Sequence, residues 1–196
     1  CLTEAMGMMI SGGASAPAVT ADRMRIAEQT GTTAVAMAKA RRTPDQILTG
    51  KAIENALRVL LAIGGSTNGI VHMTAIAGRL GIDIDLAGLD RMSRETPVLV
   101  DLKPSGQHYM EDFHKAGGML ALLRELRPLL HLDVLTVSGR TLREELDAAP
   151  PPFKQDVIRP FDNPIYPVGG LAVLRGNLAP GGAIIKQSAA NPELME

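Results

Sequence analysis

At 196 residues the chain can bury the core of one domain, or of two small ones, and its 45% hydrophobic and 21% charged residues are ordinary for a globular protein. A net charge of −1, with three Phe, two Tyr and no Trp, excludes a broad electrostatic grip on nucleic acid or an anionic membrane and leaves few rings for base stacking. One cysteine excludes an internal disulfide framework, so a reducing cytoplasm is the expected compartment.

The first two-thirds of the sequence reads as helices on short connections. Leu2, Met6 and Met9 have helical spacing and Ser11-Gly12-Gly13 stops it, which predicts a helix from Leu2 to Ile10. A helix is expected after Pro17, with Thr20 as N-cap and Asp22 in its first turn. Gly31 is expected to interrupt it, with a second run from Thr32 or Thr33 to about Arg42. Thr43-Pro44-Asp45 marks a new start, a capping hydroxyl followed by proline at the first helical position. Between Ala52 and Ile63, the residues Ile53, Ala56, Leu57, Leu60 and Leu61 form one apolar stripe, flanked by Glu54 and Arg58. Ser66 or Thr67 caps a helix to about Leu80, which Gly81 ends. Asp85 caps a short helix through Met92.

Val98-Leu99-Val100 reads as a short buried strand. Helices are expected at Tyr109 to Ala116 and Met119 to Leu130, then a strand at Leu132 to Val137 and a helix from Thr141 to Leu146. Ala149-Pro150-Pro151-Pro152 ends that helix, and the chain beyond is rich in Gly, Pro and Asn. Strand-like pieces remain at Leu171 to Leu174 and Ala183 to Lys186. This change of character divides residues 1–149 from 150–196. No run approaches the roughly 18–20 apolar residues that span a bilayer.

Gly64-Gly65-Ser66-Thr67-Asn68 is the best candidate for contact with a small polar molecule. Glycines admit close backbone approach, a helix start offers free N–H groups, and Ser66, Thr67 and Asn68 add neutral donors suited to hydroxyls. Capping between two packed helices accounts for the same residues. Lys103 suits a carboxylate partner or plain solvent. Glu111 and Asp112 suit magnesium or a helix dipole, and are not assigned as ligands. His72, His108, His114 and His131 match no zinc spacing, and His114 reads as a half-buried partner for backbone or acid. Gly50-Lys51 lacks the Ser or Thr of a phosphate loop, because Ala52 follows. No complete catalytic, cofactor-binding or metal-ligating set emerges. Ten methionines and the amphipathic helices fit a non-catalytic helical scaffold or interaction module, the alternative to an enzyme.

Several segments carry a resemblance. They are Glu4-Ala5-Met6-Gly7-Met8, Ile63 to Asn68, Leu102-Lys103-Pro104-Ser105-Gly106 with Met110 to Gly118, Val157 to Pro160 with Asp162 to Ile165, and Leu174 to Ala183. Together they resemble the dihydroxy-acid and sugar-acid (aldonate) dehydratase family over nearly the whole chain. The resemblance implies an α/β fold: the helix-rich end of an N-terminal α/β domain, then the first strands of a β-barrel-like C-terminal domain. It implies loss of water from a 2,3-dihydroxy acid to leave a 2-keto acid, with an iron–sulfur cluster and Mg, in a homo-oligomer with no nucleic-acid or membrane partner. By the same resemblance the cluster ligands lie upstream of Cys1, itself an ordinary helix residue, and the serine base lies beyond Glu196. Both ends therefore read as cuts, and the isolated chain is expected to be inactive and poorly soluble. The turn Lys103-Pro104-Ser105-Gly106 resembles the dihydroxy-acid and aldonate branches, and the tail Ser188 to Met195 leans to sugar acids.

Overall fold

Helix α4 (Gly50–Ala62) is the element around which the others pack. Its N-terminus is capped by Thr49, whose hydroxyl accepts from the Ala52 N–H at 3.3 Å. Its expected stripe of Ile53, Ala56, Leu57, Leu60 and Leu61 is buried, and so are Val59 and Ala62, because neighbours cover it on several sides. These are α1 (Leu2–Ala5), α5 (Thr67–Arg79) and α6 (Leu86–Glu95). Helices α7 (Met110–Lys115) and α8 (Gly118–Glu125) add Phe113, Met119, Leu122 and Leu123 to the same core. Burying each such side chain contributes about 1.5–3 kcal/mol. The order is completed by α2 (Ala21–Lys39), α3 (Pro44–Ile47), α9 (Leu142–Ala148) and the strands β1 (Leu171–Gly176) and β2 (Ala179–Lys186). This computed structural model describes residues 1–190. The architecture is the expected α/β one, a helix-rich body followed by a strand pair. Among the described residues no helix is long and apolar enough to cross a membrane.

Two polar groups inside the core are answered by specific partners. Asn55 donates to the His131 carbonyl at 2.9 Å and accepts the His131 N–H at 2.8 Å, which fixes the loop after α8 against α4. Arg58 donates to Glu95 at 2.8 Å and to the Thr96 hydroxyl at 3.0 Å, tying α4 to the end of α6.

Four expectations are corrected. The first helix ends at Ala5, not Ile10. Gly7 takes a left-handed φ of 79°, and a Cβ there would lie 2.7 Å from the Leu135 carbonyl oxygen. The second correction follows from that contact. Leu132 to Val137 is no strand, because its hydrogen bonds go to scattered partners: Val137 donates to the Gly7 carbonyl at 2.8 Å, Thr136 to the Arg140 carbonyl at 2.9 Å, and only Leu135 bridges Thr141. Third, α2 runs unbroken through Gly31. One mid-helix glycine costs about 1 kcal/mol relative to alanine, and Thr20 caps the helix while Ile26 and Met37 pack on either side of it. Fourth, Val98 to Val100 is paired but forms no continuous strand. Val98 bridges Tyr166 and Val100 bridges Ile158, and the prolines Pro160 and Pro164 between those partners have no N–H to extend a ladder.

The tail of the body is a strap and a hairpin. Residues 157–166 run antiparallel beside 98–100, with Arg159 donating to the Leu99 carbonyl at 2.8 Å and Ile165 to the Val98 carbonyl at 2.9 Å. β1 and β2 then pair antiparallel from Leu171↔Lys186 to Gly176↔Ala179, with a bulge between Leu174 and Gly176. Leu171 of the hairpin is buried in the core, and the half-buried Val173 and Ile184 pack against it.

Candidate functional site

Three stretches of chain converge where α4 ends. The Ile63-Gly64 turn follows α4, residues 98–105 carry the Lys103-Pro104-Ser105-Gly106 turn, and residues 166–170 lead into β1. Together with 187–190 after β2 they enclose a cleft of about 360 Å³. Its walls are mainly apolar, from Ile63, Val100, Leu102 and Val168, with Asp101, Ser105 and Gln187 supplying polar groups.

The closest approach in the cleft is backbone on backbone. A Cβ on Gly170 would stand 2.6 Å from the Gly64 Cα, so residue 170 has no room for a side chain, while Gly64 itself takes a left-handed φ of 58°. Hydrogen bonds hold the contact. Gly170 donates to the Leu61 carbonyl at 3.1 Å and Gly169 to the Ser93 carbonyl at 2.7 Å. Gln187 clamps the outer side, its backbone N–H on the Gly170 carbonyl at 3.0 Å and its side-chain amide on the Gly169 carbonyl at 2.7 Å. Asp101 is spent on the neighbouring turn, where its carboxylate accepts the Gln107 N–H at 3.2 Å and its carbonyl accepts the His108 N–H at 3.0 Å. The cleft therefore offers shape and a few polar anchors, and brings no nucleophile together with a base.

The sequence candidates separate in space. Gly64 lines the cleft, but Ser66, Thr67 and Asn68 are not among its lining residues. The Ser66 hydroxyl accepts the Asn68 N–H at 3.0 Å, the capping role, while Thr67 is half-buried and Asn68 exposed. Lys103 holds its ammonium 4.5 Å from the centre of the Tyr109 ring, a cation–π contact. Glu111 pairs with Lys115 at 2.7 Å, and Asp112 accepts the Tyr109 N–H at 2.8 Å as a cap for α7. Cys1 is half-buried against the main core. Among the described residues no three His, Cys, Asp or Glu side chains come together to hold a metal ion. The described residues thus do not by themselves fit a cluster or a magnesium site.

One juxtaposition was not foreseen. Ser15 Oγ lies 3.1 Å from His114 Nδ1, and His114 Nε2 lies 3.8 Å from Asp22. Ser15 is buried, and the three side chains form a clasp between the start of α2 and α7. The acid half of this was legible at His114; its partners are about a hundred residues away in sequence. The 166–170 segment and Gln187 were also missed as cleft residues. The Gly169-Gly170 pair after Pro167 was the one available signal of close approach.

Sequence comparison decides the family. The dihydroxy-acid/6-phosphogluconate dehydratase N-terminal domain matches residues 1–145, and the corresponding C-terminal domain matches residues 156–196. The chain belongs to this dehydratase family. A dihydroxy-acid dehydratase of Ignicoccus hospitalis is 48% identical across 98% of the chain and 35% of its own length. A dihydroxy-acid dehydratase of Acetivibrio thermocellus is 46% identical across 100% of the chain and 35% of its own length. An L-arabinonate dehydratase of Rhizobium leguminosarum bv. trifolii is 47% identical across 98% of the chain and 33% of its own length. The chain thus spans about a third of the length of these curated relatives, and its likeness to them is nearly equal for the two named activities.

Proposed function

We propose that the protein to which this chain belongs is a hydro-lyase that removes water from a 2,3-dihydroxy acid, either a branched dihydroxy acid or an aldonic sugar acid, and releases a 2-keto acid. The supporting observation is the match of both family domains along one chain, with relatives named for each substrate type. In this reaction the C2 hydrogen and the C3 hydroxyl leave as water, and the enol formed tautomerises to the 2-keto acid. An iron–sulfur cluster and Mg belong to the proposal as groups held by residues outside those described, so no step is assigned to them here. A cytoplasmic location and a homo-oligomeric state are proposed with it. So is the division at 149/150 between the end of the N-terminal domain and the start of the C-terminal one.

Within that reading, residues 1–190 supply a scaffold. The 64, 101–105 and 166–170 segments fix the approach between the helical body and the hairpin. Ser66, Thr67 and Asn68 remain the proposed contacts for substrate hydroxyls on the surface beside that junction. The test is 2-keto acid release by the full-length protein, prepared without oxygen, from a panel of 2,3-dihydroxy and aldonic acids. Turnover of at least one panel member supports the proposal. No release from any, in protein that carries an iron–sulfur absorption band, overturns it.

A further inference from the structure

The stretch left without a role is the linker between the two family matches. Neither match covers residues 146–155, and a proline-rich linker is where domains are expected to move against each other. Pro150, Pro151 and Pro152 carry no N–H, so their carbonyl oxygens are the only polar backbone handles they offer. Arg124, in the last turn of α8, uses the first of these. Its guanidinium donates to the Pro150 carbonyl at 2.7 Å and to the Ala149 carbonyl at 3.4 Å.

The far end is held by the next residue of the same helix, because Glu125 accepts the Phe161 N–H at 3.0 Å. In between, the Gln155 side chain closes a turn on Ile158, accepting its N–H at 2.8 Å and donating to its carbonyl at 2.7 Å. Ile158 itself is buried in the main core and bridges Val100. The eleven steps from Pro150 to Phe161 would reach roughly 36–40 Å if extended, yet their anchors are consecutive residues, with Cα atoms about 3.8 Å apart. The linker therefore begins and ends at one point on α8, as a closed loop.

We propose that this loop is a clamp, held shut by Arg124 and Glu125, that fixes the start of the C-terminal domain to the helical body, and that the domain boundary is not a hinge. Residues 156–166 of the C-terminal match then move with the body, through Arg159 on the Leu99 carbonyl and Ile165 on the Val98 carbonyl. A loop closed at its base carries no leverage, so its length does not set how that segment sits. The proposed division at 149/150 marks a change of sequence and not a pivot. Both anchors and both anchored ends lie among the described residues. The inference requires nothing of the catalytic reading and stands or falls separately.

Hydrogen exchange followed by mass spectrometry on the full-length protein tests it. In the unaltered protein the amides of Ile158, Arg159, Phe161 and Ile165 are expected to exchange about a hundredfold more slowly than in a free chain, or slower still. Glu125→Ala and Arg124→Met are each expected to speed exchange at Phe161 by about tenfold or more, with α4 unchanged. Glu125→Gln keeps an acceptor for that N–H and is expected to stay within about threefold. Inserting Gly-Ser-Gly-Ser between Pro151 and Pro152 leaves both anchors in place, so the Arg159 and Ile165 amides are expected to stay within about threefold as well. If Glu125→Ala accelerates α4 too, the insertion alone decides. Free-chain rates in the unaltered linker, a Phe161 amide indifferent to both anchor variants, or faster exchange at Arg159 and Ile165 after the insertion would overturn the proposal.

Discussion

Gly170 has no side chain because Gly64 occupies the space. A methyl group there would lie 2.6 Å from the Gly64 Cα, a backbone atom that no rotamer change can move. Gly170→Ala is expected to destabilise the protein by about 1–3 kcal/mol, the usual range for overpacking, as read by urea denaturation. Gly176→Ala is the control, since no atom lies within 4 Å of its Cβ position. Equal midpoints for the two variants would show the contact to be slack. Glu4 makes a different residue-scale case. Burial holds its carboxyl above the ordinary 4.5, against the pull of the Gly12 and Ala14 N–H groups, which it accepts at 2.8 and 2.9 Å. In the unfolded chain the proton leaves near the ordinary value, whereas the folded chain keeps it to higher pH. Folding takes up a proton between the two, so the contribution of Glu4 to stability is full below pH 4.5 and declines as pH rises through the folded value. Glu4→Gln removes that titration. The Tm of the unaltered protein relative to the variant is expected to fall from about pH 4 to about pH 7. A constant difference would sink the assignment.

At the scale of elements, α2 separates local from distant causes. Nothing lies within 4 Å of a Cβ on Gly31, so Gly31→Ala gains helix propensity with no clash, and is expected to stabilise the protein by about 0.5–1 kcal/mol in thermal melts. A lower Tm would mean that the glycine serves a close contact. The same contrast explains which elements were legible in the sequence. Thr20, Ser66, Asp85 and Thr141 cap helices as their hydroxyl or carboxylate chemistry implies, each accepting an N–H two or three residues on. Those signals are local. Gly7 ends α1 because Leu135 lies beside it, and Val98 pairs with Tyr166, contacts across 128 and 68 positions that no local pattern encodes. The cleft divides in the same way. Gly64 was visible in its glycine-rich motif, whereas Gly170 and Gln187 join it only through tertiary hydrogen bonds.

For the molecule as a whole, the question is how firmly the hairpin is joined to the helical body. Apart from Leu171, the strands β1 and β2 are half-buried or exposed, and Leu174 and Leu178 face solvent. Few buried apolar contacts make a segment that opens on its own. Its attachment rests on Ser93, buried on α6, whose hydroxyl donates to the Leu171 carbonyl at 2.5 Å while its carbonyl accepts the Gly169 N–H at 2.7 Å. Ser93→Ala keeps the second bond, which is backbone, and removes the first. The Leu171 carbonyl is then left without that donor at a buried position, at a cost of about 1–3 kcal/mol. Hydrogen exchange followed by mass spectrometry locates the effect. Amides of β1 and β2, and that of Gln187 on the Gly170 carbonyl, are expected to exchange about tenfold faster or more, with those of α4 unchanged. Equal acceleration in α4 would mean that body and hairpin unfold as one cooperative unit, and that the junction is part of the core.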